Sequence, residues 1–253
     1  MGNAGITKGA AQIPRAQNTD ICFFERDQGS SLIRRSAIEG VGTLCLMFAA
    51  TGSGLESSQL SVAHTAVGLV ISAFAISGAL IGLILAFGSI SGGHYNPLIS
   101  GLQWLDGERS LGCALAYIAA QIVGSSLGAS LARLLFDAER LRPPLPFDWR
   151  LIASEIVAST ALMMIVLGVS RSRRSQLASF AVGSWLIGAI ICTPSGSYAN
   201  PAITIGSLFA AGPIALSNEM TLFYVLAQII GGILALILIH AFYPISPELE
   251  GPA

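Results

Sequence analysis

The sequence predicts an all-α membrane protein with six transmembrane helices and two re-entrant half-helices arranged as an inverted repeat. The first observation behind this prediction is composition: of 253 residues, 53% are hydrophobic and 11% are charged, and the mean hydropathy is +0.70. Typical soluble domains carry roughly 25% charged residues, so this chain has too few polar side chains to cover a surface in water. The second observation is the spacing of its apolar stretches. The third is a loop motif that occurs twice.

Six apolar stretches are long enough to cross a hydrocarbon core of about 30 Å, which takes about 20 residues. They occupy residues 33–51, 65–88, 110–136, 149–170, 177–194 and 220–243. Two shorter apolar segments, 98–105 and 202–211, follow the second and the fifth stretch. Because interrupted backbone inside a membrane is tolerated only where protein or a water-filled cavity surrounds it, we interpret the short segments as half-helices that enter from loops.

Each half-helix begins directly after one copy of a repeated loop. The loop reads Ser-Gly-Gly-His-Tyr-Asn-Pro at 91–97 and Ser-Gly-Ser-Tyr-Ala-Asn-Pro at 195–201. Proline suits the first turn of a helix because its missing N–H would be unpaired there anyway. A motif repeated at the same place in both halves of a membrane protein indicates a duplicated unit and locates its site.

The two halves match beyond these loops. Tyr117 and Gln121 in the third stretch have the same spacing and neighbours as Tyr224 and Gln228 in the sixth. Three full spans per half is an odd number, so the two copies are expected to insert in opposite orientations. The half-helices then approach each other from opposite faces of the membrane.

Positive charge predicts the orientation of the chain. Nine of the 13 Lys and Arg residues fall on the side of the N-terminus, which predicts cytoplasmic N- and C-termini. We expect residues 1–32 to form a disordered cytoplasmic tail, and 244–253 a C-terminal tail. The membrane domain is predicted at 33–243, with repeat one at 33–136 and repeat two at 149–243. Short loops favour a multi-pass protein of a bacterial inner membrane.

Composition also excludes several classes of function. A net charge of −1 without a basic stripe argues against a nucleic-acid partner. The four cysteines are far apart and form no CxxC pair, which predicts neither a metal site nor a disulfide framework. No nucleophile–base pair is present, so we expect no enzyme activity and no cofactor.

Two Asn-Pro half-helix loops within six inverted spans resemble the aquaporin, or major intrinsic protein, family over about residues 33–243. The resemblance implies a passive channel, with the Asn-Pro motifs Asn96-Pro97-Leu98 and Asn200-Pro201-Ala202 at the centre of the pore. Half-helix N-termini carry a partial charge near +0.5, which predicts a barrier to cations. The amides of Asn96 and Asn200 would hold a water or hydroxyl oxygen. Family members assemble as homotetramers in the lipid bilayer.

The resemblance leaves several roles open. It implies that Glu39 and Glu155 brace the loop backbones, whereas a charge in an apolar span also fits a proton relay. His94 fits either a loop-anchoring hydrogen bond or a gate. Leu98, where the family usually has alanine, either crowds the midpoint or shifts the packing of its half-helix. Small residues such as Gly124 and Gly231 fit helix contacts within one protomer or between protomers.

The family's selectivity filter corresponds by spacing to Ile76, Gly188, Ser197 and Ile203. The last position is normally arginine, and its loss removes a permanent charge and a fixed fork of donors. Gly188, where strict water channels usually have histidine, is expected to leave room, and two isoleucines make the rest of the wall apolar. Such a wide, apolar constriction resembles the glycerol-facilitator (aquaglyceroporin) side of the family. It predicts passage of small uncharged solutes such as glycerol, urea and neutral metalloid hydroxides (arsenous acid or methylated forms), and of water.

Three alternatives share features with this channel. An ion-coupled secondary transporter also uses inverted repeats and broken helices, but the sequence shows no cluster of acidic, basic or histidine residues at the midplane. A channel conducting mainly water would share the scaffold. The third alternative is a scaffold or adhesion protein with a closed pore, and Leu98 is the one feature of the sequence that favours it.

Overall fold

The computed structural model describes residues 29–60, 65–139, 147–172 and 175–243. Eight α-helices make up the fold of this described part. They are α1 (Leu32–Leu60), α2 (Thr65–Ser91), α3 (Pro97–Leu105), α4 (Leu111–Leu135), α5 (Trp149–Arg171), α6 (Ala178–Cys192), α7 (Pro201–Gly206) and α8 (Asn218–Phe242). Of the predicted tails, residues 1–28 and 244–253 lie outside the described residues.

The predicted order of spans and half-helices is confirmed. Five helices of the described part, α1, α2, α4, α5 and α8, are long and apolar enough to cross a membrane. The remaining predicted span is α6, with 15 residues and so about 22 Å of length. A 3₁₀ turn at Ser175–Leu177 precedes it. We call the membrane face where α1 begins and α8 ends the near side, and the opposite face the far side.

Helix α1 continues nine residues past its predicted end at residue 51. These added turns contain serines and Glu56, which ended the apolar stretch in the sequence. The helix continues because its serine hydroxyls bond back to helix carbonyls: Ser57 donates to Ser53 O, and Ser58 Oγ lies 2.8 Å from Gly54 O. Hydropathy therefore marked the end of the apolar segment rather than the end of the helix.

Each half-helix starts at an asparagine that caps its N-terminus. Asn96 and Asn200 have extended backbones (φ −150° and −155°), and proline occupies the first helical position after each. Asn96 Oδ1 accepts from Leu98 N at 2.9 Å, and Asn200 Oδ1 accepts from Ala202 N at 3.0 Å. The asparagine thereby pairs one of the N–H groups that a helix start leaves without a partner.

Glycines bring the long helices into close contact within one protomer. A Cβ on Gly124 of α4 would lie 2.0 Å from Gly40 O of α1, and one on Gly128 would lie 2.2 Å from Leu44 O. In the second repeat, a Cβ on Gly231 of α8 would lie 2.6 Å from Ile156 O of α5. The structure thus assigns these small residues to contacts between helices of the same chain.

Leu98 is buried and packs against α8. A Cβ placed on Gly232 would lie 2.6 Å from Leu98 Cδ1, and Leu98 is not among the residues that line the central cavity. Of the two readings of Leu98, the structure therefore places it in half-helix packing rather than at the midpoint of the path.

Candidate functional site

The first loop is held by the carboxylate of Glu39, which is completely buried in α1. Four donors bind it, from the hydroxyl of Ser91 (2.7 Å), the backbone N–H groups of His94 (2.9 Å) and Tyr95 (2.6 Å), and the amide of Gln121 (2.8 Å). A carboxylate accepts through two oxygens and has room for these four bonds. Glu39 thus joins α1, α4 and the loop before α3.

Glu155 of α5 does the same for the second loop. Its oxygens accept from Ser195 Oγ (2.6 Å), Tyr198 N (3.0 Å), Ala199 N (2.9 Å) and Gln228 Nε2 (2.7 Å). Each contact has its counterpart at Glu39, down to which carboxylate oxygen is used. Both carboxylates thus bind the backbone of the loop beside them. The loop-bracing role that the resemblance implies fits these contacts and stays a prediction.

The two loops are tied to each other through the asparagines. Asn96 Nδ2 donates to Ala199 O, and Asn200 Nδ2 donates to Tyr95 O, both at 2.9 Å. The accepting residues lie in the left-handed region, with φ +48° for Tyr95 and +43° for Ala199. An asparagine amide has two N–H groups, so each of these bonds uses one of the two. Because Glu39 holds the N–H of Tyr95, it supports the asparagine of the opposite repeat.

A cavity of about 580 Å³ runs past both asparagines. Its wall includes His94 towards the near side, and Ser57, Ser72 and Pro213 towards the far side. Alkyl side chains from α1, α2, α5 and α6 form much of the rest, among them Leu46, Leu80, Ile84, Leu162, Val166 and Val182. Among the described residues, no Asp, Glu, Lys or Arg lines it.

Three of the four predicted filter residues line this cavity: Ile76 of α2, Ser197 of the second loop and Ile203 of α7. Ile203 is 7% exposed and lies one turn after Asn200. Its N–H is 3.4 Å from Asn200 Oδ1. The cavity next to the second asparagine is therefore bordered by an isoleucine.

Gly188 does not line the cavity, and this assignment is corrected. Gly188 is exposed, and a Cβ placed on it meets no atom within 4 Å. The residues of α6 that do line the cavity include Leu186 and Ile190. Each is two positions from Gly188, which is about 200° around a helix. The α6 wall is consequently alkyl, without the space that a glycine would leave.

His94 is buried at the start of the first loop. Its Nδ1 lies 2.9 Å from Ser100 Oγ, and its ring packs edge-on against Tyr117 at 5.4 Å between centroids. Gln121 Nε2 is 3.2 Å from the same serine hydroxyl. These contacts match the loop-anchoring interpretation of His94.

Sequence reasoning missed the left-handed residues Tyr95 and Ala199, whose carbonyls receive the asparagine amides. Neither is a glycine, so their types gave no signal of a positive φ. It also missed Ser91 and Ser195 as donors to the buried carboxylates, although both open the repeated motif. Aligning the two loops residue by residue would have singled out these serines.

Comparison with known proteins agrees with this architecture, which is that of a multi-pass membrane channel. The family described as Major intrinsic protein matches residues 27–194 and 146–250. The chain belongs to this family.

Among its relatives is the aquaglyceroporin AqpS of Rhizobium meliloti (strain 1021). It is 31% identical over 222 residues, which cover 84% of this chain and 91% of the relative. Nodulin-26 of Glycine max is 31% identical over 149 residues, 56% of this chain and 54% of that protein.

A solved structure shares the fold. The aquaglyceroporin from Plasmodium falciparum superposes with a TM-score of 0.67 at 20% sequence identity, covering 84% of this chain and 96% of that one. The inverted arrangement of spans and half-helices is thus that of an aquaporin fold.

Proposed function

We propose that the chain passes small uncharged solutes that have partly apolar surfaces, together with water. Glycerol, urea and neutral metalloid hydroxides such as arsenous acid or its methylated forms are the candidates. The observation that carries this proposal is the cavity wall next to Asn200, where Ile203 stands in place of a cationic side chain. As a member of its family, the chain is a passive channel and not an enzyme.

The centre of the cavity supports the exclusion of cations. Two helix starts meet there, and their partial positive charges oppose a cation. Each asparagine keeps an N–H for an oxygen of the passing molecule. A neutral compound with a hydroxyl or carbonyl group can accept such a hydrogen bond. An ion would lose its hydration beside this wall of low polarity, which costs free energy.

The wall on the far side of Asn200 supports a preference for apolar surface. Ile76, Leu186, Ile190 and Ile203 all contribute alkyl groups to it. A solute that turns an alkyl face to this wall removes apolar area from water, at about 25 cal/mol per Å². Two similar proteins, from Rhizobium meliloti and Plasmodium falciparum, carry the name aquaglyceroporin.

The test is stopped-flow swelling of proteoliposomes with water, glycerol, urea and arsenous acid gradients. We expect solute flux above that of empty vesicles, without saturation and without dependence on a proton gradient. Ile203→Arg should reduce glycerol flux severalfold, because a long charged fork would occupy the cavity beside Asn200. Ile33→Arg, at a position 83% exposed at the start of α1, is the matched control. Equal glycerol flux in wild type and Ile203→Arg would contradict the proposal.

We further propose a homotetramer with cytoplasmic termini in a bacterial inner membrane, with a channel domain at 33–243. Support comes from the family and, for the orientation, from the excess of positive charge on the near side. Cross-linking in native membranes should give a four-subunit ladder. A cysteine placed at the exposed position 33 should react with an impermeant thiol reagent added outside the cell only after the membrane is permeabilised.

A further inference from the structure

The far end of the cavity has a polar wall to which the proposed function assigns no role. The last turn of α1 and the first turns of α2 form this wall, and Ser57, Ser58 and Ser72 contribute its hydroxyl groups. Ser58 is exposed and Ser72 is half-buried, so a solute at the far end of the cavity can contact both. Helix α1 reaches this position because it continues past the end of its apolar stretch.

The hydroxyl groups of this wall direct their hydrogens towards the protein. Ser57 donates to Ser53 O, and Ser58 Oγ donates to Gly54 O at 2.8 Å. Because the hydrogen of Ser57 is already used, Ser72 is the donor in the 3.3 Å contact between Ser72 Oγ and Ser57 Oγ. A hydroxyl oxygen also carries two lone pairs. Ser58 and Ser72 therefore present hydrogen-bond acceptors to the cavity rather than donors.

These acceptors lie close together at the carbonyl end of a helix. Ser57 Oγ is 3.2 Å from Gly54 O, the same carbonyl oxygen that accepts from Ser58. Gly68 lets α2 approach α1 closely, since a Cβ on Gly68 would lie 3.0 Å from Ser57 Cβ. The C-terminal end of a helix carries a partial charge near −0.5. Both the clustered oxygens and this partial charge favour a ligand with several N–H or O–H groups.

The serine wall borders on the alkyl part of the cavity. Ser72 and Ile76 both line the cavity and are four residues apart on α2, a spacing that places Cβ atoms about 5–6 Å apart. A solute that contacts Ile76 is therefore still within reach of Ser72. Such a solute loses water from its polar groups as it enters the alkyl part, and polar groups left without a partner there cost free energy. The serine oxygens can replace that water for the donors of the solute.

We propose that Ser58 and Ser72 form a binding site for neutral solutes with several N–H or O–H groups, at the place where these solutes lose water before entering the alkyl part of the cavity. The proposal rests on the proposed channel function and specifies its substrate class by hydrogen-bond donors. Glycerol, urea and neutral hydroxides have such donors. Dimethyl sulfoxide, a neutral molecule of about the size of glycerol, accepts hydrogen bonds but has none to donate, so the site does not favour it.

The experiment measures the flux of glycerol, urea and dimethyl sulfoxide into proteoliposomes of the full chain, with the permeability of empty vesicles subtracted for each solute. The double variant Ser58→Ala/Ser72→Ala removes both acceptors. It should lose glycerol and urea flux about two- to tenfold, the size of one lost hydrogen bond. Its dimethyl sulfoxide flux should equal that of the wild type.

Two further variants separate hydrogen bonding from a change of shape. Ser58→Thr/Ser72→Thr keeps both hydroxyl groups and should keep glycerol flux, although its side chains are larger. Ser53→Ala is the matched control: Ser53 lies on the same part of α1, its Oγ donates to Ala50 O at 3.3 Å, and it does not line the cavity. It should conduct like the wild type.

The outcomes separate this proposal from the channel function. The binding site is wrong, while the channel stands, if the double alanine variant keeps wild-type glycerol flux or loses dimethyl sulfoxide flux to the same degree as glycerol flux. It is also wrong if the double threonine variant loses as much glycerol flux as the double alanine variant. If neither glycerol nor urea flux through the wild type exceeds that of empty vesicles, the proposed function itself is overturned, and this inference with it.

Discussion

The two half-helices begin with the same backbone geometry, but the residues through which they pack against the long helices differ in size. In α3, Leu98 lies against Gly232 of α8, where a Cβ would come within 2.6 Å of it. By the alignment of the repeats, Ala202 and Gly206 of α7 take the places of Leu98 and Leu102, and Ser125 of α4 takes the place of Gly232. Here a Cβ on Gly206 would lie 2.0 Å from Ser125 Oγ. Large meets small in one repeat, and small meets larger in the other. Residues of different size can thus form the corresponding helix contact in the two repeats.

The polar framework shows no such exchange. Glu39 and Glu155 each bind one serine hydroxyl, two consecutive backbone N–H groups and one glutamine amide. A hydrogen bond depends on distance and angle, so a partner of another length does not replace it. The two repeats therefore keep the same chemical groups in their polar contacts, whereas the residues of their helix contacts differ in size.

The largest effect should follow from breaking the polar framework. Glu39→Gln and Glu155→Gln each put a donor NH2 group where a carboxylate oxygen accepts, and so leave buried donors unpaired, at a cost of about 3–5 kcal/mol. Because the two networks match, the two variants should lose stability to the same degree. The measurement is the melting temperature of the purified protein in detergent, with recovery of the monodisperse fraction as a second readout.

Glu56→Gln is the control for these variants, because Glu56 is an exposed carboxylate on α1. Its melting temperature should equal that of the wild type. A clear loss in only one of the two buried-carboxylate variants would show that the repeats are not equivalent in energy.

A smaller effect is expected from overfilling the contact between α3 and α8. Gly232→Ala places a methyl group against Leu98 and should destabilise the protein by about 1–3 kcal/mol. Adding Leu98→Ala frees volume beside the new methyl group. The double variant should therefore be more stable than the sum of the two single effects predicts. The melting temperatures of the four proteins complete the cycle, and strict additivity would mean that the two residues do not share this space.

Much of the scaffold could be predicted because long apolar stretches mark its spans and a repeated motif marks its half-helices. The Asn-Pro pairs predicted the starts of α3 and α7, since the asparagine cap and the proline act locally. The bonds from Asn96 to Ala199 and from Asn200 to Tyr95 join residues more than 100 positions apart. Nothing local in the sequence specifies them.

Gly188 was misplaced for a related physical reason. Counting twelve residues back from Asn200 presumes a fixed path from α6 through the following loop, whereas the face of a helix turns by about 100° per residue. Leu186 and Ile190 share a face with Val182, an apolar spacing of four that the sequence does contain. Following that spacing instead of the offset would have selected the correct wall of α6.

The two half-helices also differ at the ends that face away from the asparagines. After α3, Asp106 binds Arg171 of α5 at 2.7 Å and His240 of α8 at 2.8 Å. The stretch after α7, residues 207–217, contains no charged residue. Tyr198 instead forms a hydrogen bond with this second stretch, because its hydroxyl donates to Ile214 O at 2.8 Å. Charged groups thus stabilise one half-helix end, and an uncharged hydrogen bond contributes to the other.

The smallest predicted effect tests this charged end through Glu108, which follows α3. Burial, and next the neighbouring Asp106, raise the pKa of Glu108 above its ordinary value of 4.5, although Arg171 and Arg109 oppose the shift. A raised pKa means that the folded state holds the proton more tightly than the unfolded state. Stability is therefore lost as the pH rises from about 4.5 through the folded-state pKa.

Glu108→Gln should accordingly raise the melting temperature at pH 7 and have little effect at pH 4, where the wild-type side chain is already protonated. The gain should stay below about 1 kcal/mol, since the group is partly exposed to screening solvent. Glu139→Gln, which removes a charge from an exposed position, shows the effect of net charge alone. A variant that is less stable at pH 7 than the wild type would mean that Glu108 is held mainly by Arg171 and Arg109. Ion pairing would then stabilise the end of α3, whereas the hydrogen bond from Tyr198 to Ile214 O contributes to the stretch after α7 without any charge.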